Sequence, residues 1–240
     1  MLNIYNTADE VLTALAEYFV IIGGEAITKN GKFSVALSGG SSPKKLYELL
    51  ASSFHDQLDW RKVYFFFGDE RNVPQTDKDS NYLMAKKALF DPLEIDPMHI
   101  FPVDTSLAPK EAAKKYQEEI EQFFDEGELS FDLILLGLGD NSHTASLFPH
   151  TPVLHDRVPG VSDVYLEDQQ VYRITVNAPL INEAQNIAFL VYGEEKAIAV
   201  HHVLEDDEDI EEYPAQLIEP IVGQIQWFLD DAAASMLRYK

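Results

Sequence analysis

Short apolar runs recur along the chain at Phe33–Leu37, Val63–Phe67, Leu133–Leu136, 172–176 and 187–192, most of them β-branched or aromatic and nearly unbroken in hydrophobicity. Runs of that kind read as strands buried on both faces, because a half-solvated strand alternates apolar and polar positions. Between them, apolar residues at helical spacing predict helices over roughly 8–28, 43–52, 81–89, 109–124, 194–204 and 223–237. Strands alternating with helices predict an α/β fold, a mostly parallel sheet with helices on both faces. No internal repeat, low-complexity segment or Ser/Gly-rich linker interrupts the pattern, so one domain over residues 1–240 is expected.

The polar and glycine-rich clusters stand just after these runs. Ser38-Gly39-Gly40-Ser41 follows the first, Gly68-Asp69-Glu70-Arg71 the second, Gly137 to His143 the third and Gly193-Glu194-Glu195-Lys196 the last. Ligands of open α/β sheets bind outside the carboxyl ends of the strands. The four clusters therefore predict one pocket on one rim.

Composition narrows the partners. At 46% hydrophobic content, 240 residues can bury a sizeable core, and the many aromatic and branched apolar residues set the chain apart from disordered acidic proteins. A formal net charge of −23 repels polyanions, so neither a nucleic acid nor an anionic membrane is expected as a partner. The absence of cysteine excludes disulfides and thiolate zinc sites and suits a reducing compartment, with the cytoplasm the simplest expectation. The opening stretch mixes acidic with apolar residues and lacks the basic and apolar regions of a secretory signal. No apolar run elsewhere is expected to span a bilayer.

Each cluster has a chemical and a structural reading. The 38–43 segment joins a strand to a helix, with Ser42 the expected N-cap and Pro43 the first helical residue. Its N–H groups at the positive end of a helix make an anion seat, although a tight turn would also need the glycines. Asp69, Glu70 and Arg71 follow a very apolar strand, where charges must be paired; an internal Asp/Arg ion pair is the plainer reading. Ser80-Asn81 reads as the cap of the next helix, reaching a pocket only if that end turns inward. His143 lies six residues beyond a strand, where a general base reaches a ligand, yet a lone histidine is more often structural. Arg173 and Lys196 are scarce cations in an acidic chain and natural partners of an anionic substrate, or else ordinary surface charges. The 205–209 acidic run reads as a solvated loop, and no histidine has convincing metal spacing.

The segments ALSGGSSP, FFFGDERNVPQTDKDSNY, LILLGLGDNSHTASLFP, RITV, YGEEKA and PAQLIEP, with a tryptophan-containing C-terminal helix, resemble the bacterial 6-phosphogluconolactonases in order and spacing over nearly the whole chain. The same superfamily holds glucosamine-6-phosphate deaminases and isomerases. The resemblance implies a Rossmann-like (NagB/RpiA-like) fold and hydrolysis of 6-phospho-D-glucono-1,5-lactone to 6-phosphogluconate, the second step of the oxidative pentose phosphate pathway, without metal or organic cofactor. It implies that Ser38, Gly39, Gly40 and Ser41 cradle a phosphate with Arg173 and Lys196. It also implies that Asp69 and Arg71 line the sugar side and that His143 activates water. Histidine's ordinary pKa of about 6.5 suits that role. The family pattern before the histidine is Asp-Gly-His, whereas this chain has Asn141-Ser142-His143, so Asn141 would orient the imidazole through its carbonyl without adding charge, with Asp140 as a partial substitute or Asp69 as the base in its place the alternatives. A deaminase would carry an acidic residue five positions beyond the histidine, where this chain has Phe148; a sugar-phosphate-binding protein without catalysis is the other alternative. A monomer is expected.

Overall fold

The computed structural model of the chain describes residues 1–125 and 127–238. Its main sheet contains β1 (Leu2–Tyr5), β2 (Phe33–Leu37), β3 (Val63–Phe67), β5 (Leu133–Leu136), β8 (Asn186–Val191) and β9 (Gln224–Asp230), in the order β1-β9-β8-β5-β2-β3 and parallel throughout. A second, antiparallel sheet has the order β4-β7-β6, from β4 (Asp69–Arg71), β6 (Val161–Leu166) and β7 (Val171–Val176).

Alternate residues of the main strands enter two separate cores, which is why those strands read as unbroken apolar runs. Val35, Phe65, Phe67 and Leu135 pack on one face with α1 (Ala8–Asn30), α2 (Ser41–Ser53) and α3 (Asn81–Ala85). Ala36, Phe66, Ile134 and Phe189 pack on the other with α4 (Pro109–Phe123), α5 (Ala178–Asn182), α6 (Ala197–Glu205) and the antiparallel sheet. Helices do cover both faces, as expected. By length and composition alone α1, which begins in the opening stretch, would suffice to cross a membrane. Here it lies against the sheet through Val11, Leu15, Phe19 and Ala26.

From β2 the chain passes through α2 to β3 on one side, then returns to β5 on the other. The loops leaving β2 and β5 thus diverge at a topological switch point, where an open α/β sheet forms its binding crevice. Gly68 couples the two sheets at this crevice. Its N–H donates to the Leu37 carbonyl of β2 (2.8 Å), and its own carbonyl accepts from Val176 of β7 (2.9 Å). The antiparallel sheet therefore carries β4 and β7 over the rim of the parallel one.

Several expectations need correction. Residues 223–237 do not form a helix: they are β9 followed by turns, and Trp227 stacks on Phe189 of β8 with ring centroids 3.9 Å apart. Two flanking parallel partners override the helical spacing of that segment. The 172–176 run is antiparallel and belongs to the second sheet, where it pairs with Asp69–Arg71. The N-cap of α2 is Gly40, at φ +107°, so Pro43 falls within the first turn. In the acidic run, Glu205 ends α6 and pairs with His201, while Asp206 pairs with His201 and His202; only 207–209 are exposed.

Candidate active site

At the switch point lies a cavity of about 300 Å³, lined among others by Ser38, Gly39, Gly40, Asp69, Arg71, Gly139, His143 and Arg173. That volume is at the lower end of the ~300–1,000 Å³ usual for small-molecule sites. Three of the four sequence clusters meet there. The fourth, 193–196, stays outside the cavity wall, as do Ser41 and Asn141. Lys196 approaches through the His143 loop, its Nζ 2.5 Å from Asp140 Oδ1.

The glycine loop after β2 is held by Tyr47, a fully buried residue of α2 whose hydroxyl accepts from the Ser38 N–H (3.0 Å) and donates to the Ser38 carbonyl (2.8 Å). Burial pushes that phenol's pKa up, so it stays protonated and able to donate. Among the described residues no side chain caps α2, and its first turn has no acidic residue. The positive end of the helix therefore opens beside the cavity. At Gly39 a Cβ would lie 2.0 Å from Asn81 Oδ1, so glycine here is required by close approach.

Strand geometry separates the roles within Asp69-Glu70-Arg71. Side chains of a strand alternate in direction, which sends Asp69 and Arg71 one way and Glu70 the other. Glu70, 1% exposed, accepts from the backbone N–H groups of Arg71, Asn81 and Tyr82 and from Ser80 Oγ, at 2.7 to 3.1 Å. It thus anchors the start of α3, which Ser80 caps as expected by accepting from the Leu83 N–H. Burial raises the pKa of Glu70, and the three N–H donors oppose that rise. Asn81 turns inward as the sequence allowed, donating to the Asp69 carbonyl (2.8 Å) and to Asp69 Oδ1 (3.1 Å). Ser146 Oγ donates to the other carboxylate oxygen at 2.7 Å.

The expected Asp/Arg pair exists, but it joins Asp69 to Arg173 (3.9 Å) rather than to Arg71. Arg71 Nη1 donates to the Asp79 carbonyl at 2.5 Å. Arg71 and Arg173 are directly opposite in the β4–β7 register. Like charges facing each other across a ladder repel. The Nε atoms of both guanidiniums are buried without a hydrogen-bond partner among the described residues. Burial lowers the pKa of Arg173; Asp69 opposes this and Arg71 reinforces it. Two adjacent cations with unused donors make a seat for an anion.

His143 owes its position to three neighbours. Its Nδ1 lies 2.5 Å from Asn141 Oδ1, and its ring stacks on Phe148 with centroids 4.0 Å apart. The ring also covers Gly139, where a Cβ would lie 2.0 Å from Nδ1. With the Asn141 carbonyl as acceptor, Nδ1 bears the proton and Nε2 keeps its lone pair. Ser142, which replaces the family glycine, adopts φ +60° and donates its N–H to the Gly139 carbonyl (2.9 Å), so the turn forms without glycine. The ordinary histidine pKa expected for the base does not hold. Burial lowers it to about 4; after burial, Asp69 acts to raise it and Arg173 and Lys196 to lower it.

The sequence reading missed Gln169, Thr144 and Phe148 as lining residues. Phe148 and Thr144 stand within the segment around His143 and could have been included by proximity. Gln169, on a turn 26 residues beyond His143, carries no such signal. Among the described residues, no group of three or more His, Cys, Asp or Glu side chains is arranged to hold a metal ion.

Residues 6–227 match the model of a family described as glucosamine-6-phosphate isomerases/6-phosphogluconolactonase. The chain is 43% identical over 220 residues to a 6-phosphogluconolactonase of Synechocystis sp., covering 89% of this chain and 88% of that protein. A 6-phosphogluconolactonase structure from Trypanosoma cruzi superposes with a TM-score of 0.87 at 28% identity, covering 99% of this chain and 97% of the other. A monomeric glucosamine-6-phosphate deaminase superposes at 0.83 with 20% identity over 98% of this chain and 99% of the other, a likeness of fold alone.

Proposed function

The chain belongs to the family of glucosamine-6-phosphate isomerases and 6-phosphogluconolactonases, and from that premise we propose that its cavity hydrolyses 6-phospho-D-glucono-1,5-lactone with His143 as the base. The observation that carries the reading is the convergence of an imidazole, two under-used guanidiniums and an uncapped glycine loop on one cavity.

In this mechanism the phosphate sits against the Gly39-Gly40 loop and Arg173, which orients the ring for attack. Ser38 shapes the loop, while from outside the wall Lys196 contributes its charge and Ser41 the N–H of the first residue of α2. His143 Nε2 takes a proton from water as the oxygen bonds to the lactone carbonyl carbon. Arg71 stabilises the oxyanion that develops. The C–O bond to the ring oxygen then breaks, and that oxygen takes the proton back from the imidazolium, giving a carboxylic acid and a free hydroxyl. Asp69, with both oxygens engaged by Asn81, Ser146 and Arg173, serves as counter-ion and not as base.

A depressed pKa fits this cycle. The imidazole is neutral throughout the physiological range, and a bound phosphate dianion offsets the Arg173 and Lys196 charges that help to depress it. The base therefore strengthens as substrate arrives. Phe148, in face contact with His143 where a deaminase would carry a carboxylate, disfavours the isomerase or deaminase alternative.

The test follows acid release from freshly generated phosphogluconolactone, beside an assay for ammonia from glucosamine 6-phosphate. His143→Ala is expected to lower kcat on the order of 10²–10⁴-fold, the usual contribution of a positioned base. An unchanged rate removes His143 from the mechanism, and ammonia release by the wild type restores the deaminase alternative.

A further inference from the structure

Resting on the lactonase reading, we propose that Gln169 is a positioning residue that sets Arg173 for the substrate phosphate and gives the cavity its preference for phosphorylated lactones. Gln169 stands on the turn 167–170 that joins β6 to β7, a turn in which Gln170 takes φ +51°. It is exposed to solvent and also forms part of the cavity wall, so it belongs to the mouth.

Its Oε1 accepts from Arg173 Nη2 at 2.7 Å. Arg173 Nη1 lies 3.9 Å from Asp69 Oδ2, and its buried Nε has no hydrogen-bond partner among the described residues. The guanidinium is thus held at its two terminal nitrogens, in the cavity wall.

The neutrality of the amide matters. Arg71 faces Arg173 across the ladder and pushes it away, so an acceptor is needed to hold the group in place. A carboxylate at position 169 would hold it more tightly, but it would form a charge-assisted pair and compete with phosphate for the same donors. The preceding residues, Glu167 and Asp168, are both acidic, and Asp168 already acts on Arg173 through its field. Gln169 supplies orientation without cancelling the charge, and its NH2 group is a second donor at the mouth.

The test compares wild type, Q169A and Q169E by steady-state kinetics on 6-phosphogluconolactone and on glucono-1,5-lactone, and by calorimetric titration with inorganic phosphate. Loss of one charge-assisted hydrogen bond predicts about a tenfold rise in KM and in the phosphate Kd for Q169A. Q169E is expected to exceed this, and in both variants the rise in KM on the phosphorylated lactone should outweigh any change in kcat or in activity on the unphosphorylated lactone. Wild-type KM and phosphate affinity in both variants would overturn the proposal, as would an equal loss on both lactones. Phosphate binding that weakens in the variants of a protein unable to hydrolyse the lactone would uphold Gln169 and reject the lactonase reading.

Discussion

Replacing Gly139 by alanine perturbs the base while leaving the glycine loop after β2 and Arg173 in place. The added Cβ would lie 2.0 Å from His143 Nδ1 and 2.1 Å from Cε1, where ordinary contact begins at 3.4 Å. The imidazole must therefore retreat by about 1.4 Å, and its 2.5 Å contact with Asn141 cannot survive such a shift. Because the ring already stacks on Phe148, it has little freedom to tilt instead. A misplacement of about 1 Å costs roughly 10²-fold in rate. The expected loss in kcat is of that order, about 2.7 kcal/mol of transition-state stabilisation. KM should change little, since the glycine loop and Arg173 are left in place. Gly139 does not adopt a left-handed backbone conformation, so alanine is tolerated by the chain itself, and the circular dichroism spectrum should match wild type. The assay is initial-rate acid release, with kcat and KM resolved separately. A G139A enzyme with wild-type kcat would refute the claim that the imidazole must lie over this backbone, and a rise in KM alone would shift the role of the loop from catalysis to binding.

Two further expectations concern the electrostatics of the same histidine. Its ring protons, followed by NMR in the free protein, should titrate with a midpoint near about 4, the neutral form being complete above it and lost as pH falls through it; a midpoint at the ordinary value of about 6.5 would refute the burial argument. Asn141→Asp places a carboxylate beside Nδ1, which favours the imidazolium and should move the midpoint upward while preserving or raising activity at neutral pH. An unmoved midpoint or a collapse of activity would refute the orienting role of Asn141.

Much of the site was legible because its residues follow strands whose pattern is strong. Ser38, Asp69 and His143 each come shortly after a run buried on both faces, and each reaches the cavity. Lys196 follows such a run too, yet it is tied to Asp140 outside the wall, since β8 lies one strand beyond the switch point. Glu70 illustrates a different limit. The sequence showed two carboxylates side by side, and only the strand's alternation turned one toward the cavity and the other to the start of α3. In 223–237, helical spacing and strand character were both present, and the flanking strands β1 and β8 decided between them.

By itself the sequence determined which segments must be buried, hence the strands, the covering helices and the rim on which polar clusters gather, because burial is written in local patterns of apolar residues. The tertiary structure decided everything that depends on segments far apart along the chain: the facing of Arg71 and Arg173, the acceptor that Gln169 lends, the ring of His143 laid over Gly139 and the low pKa that burial gives it. Distances and electric fields between remote residues follow from sheet order and register, and those emerge only when all the strands compete for partners at once.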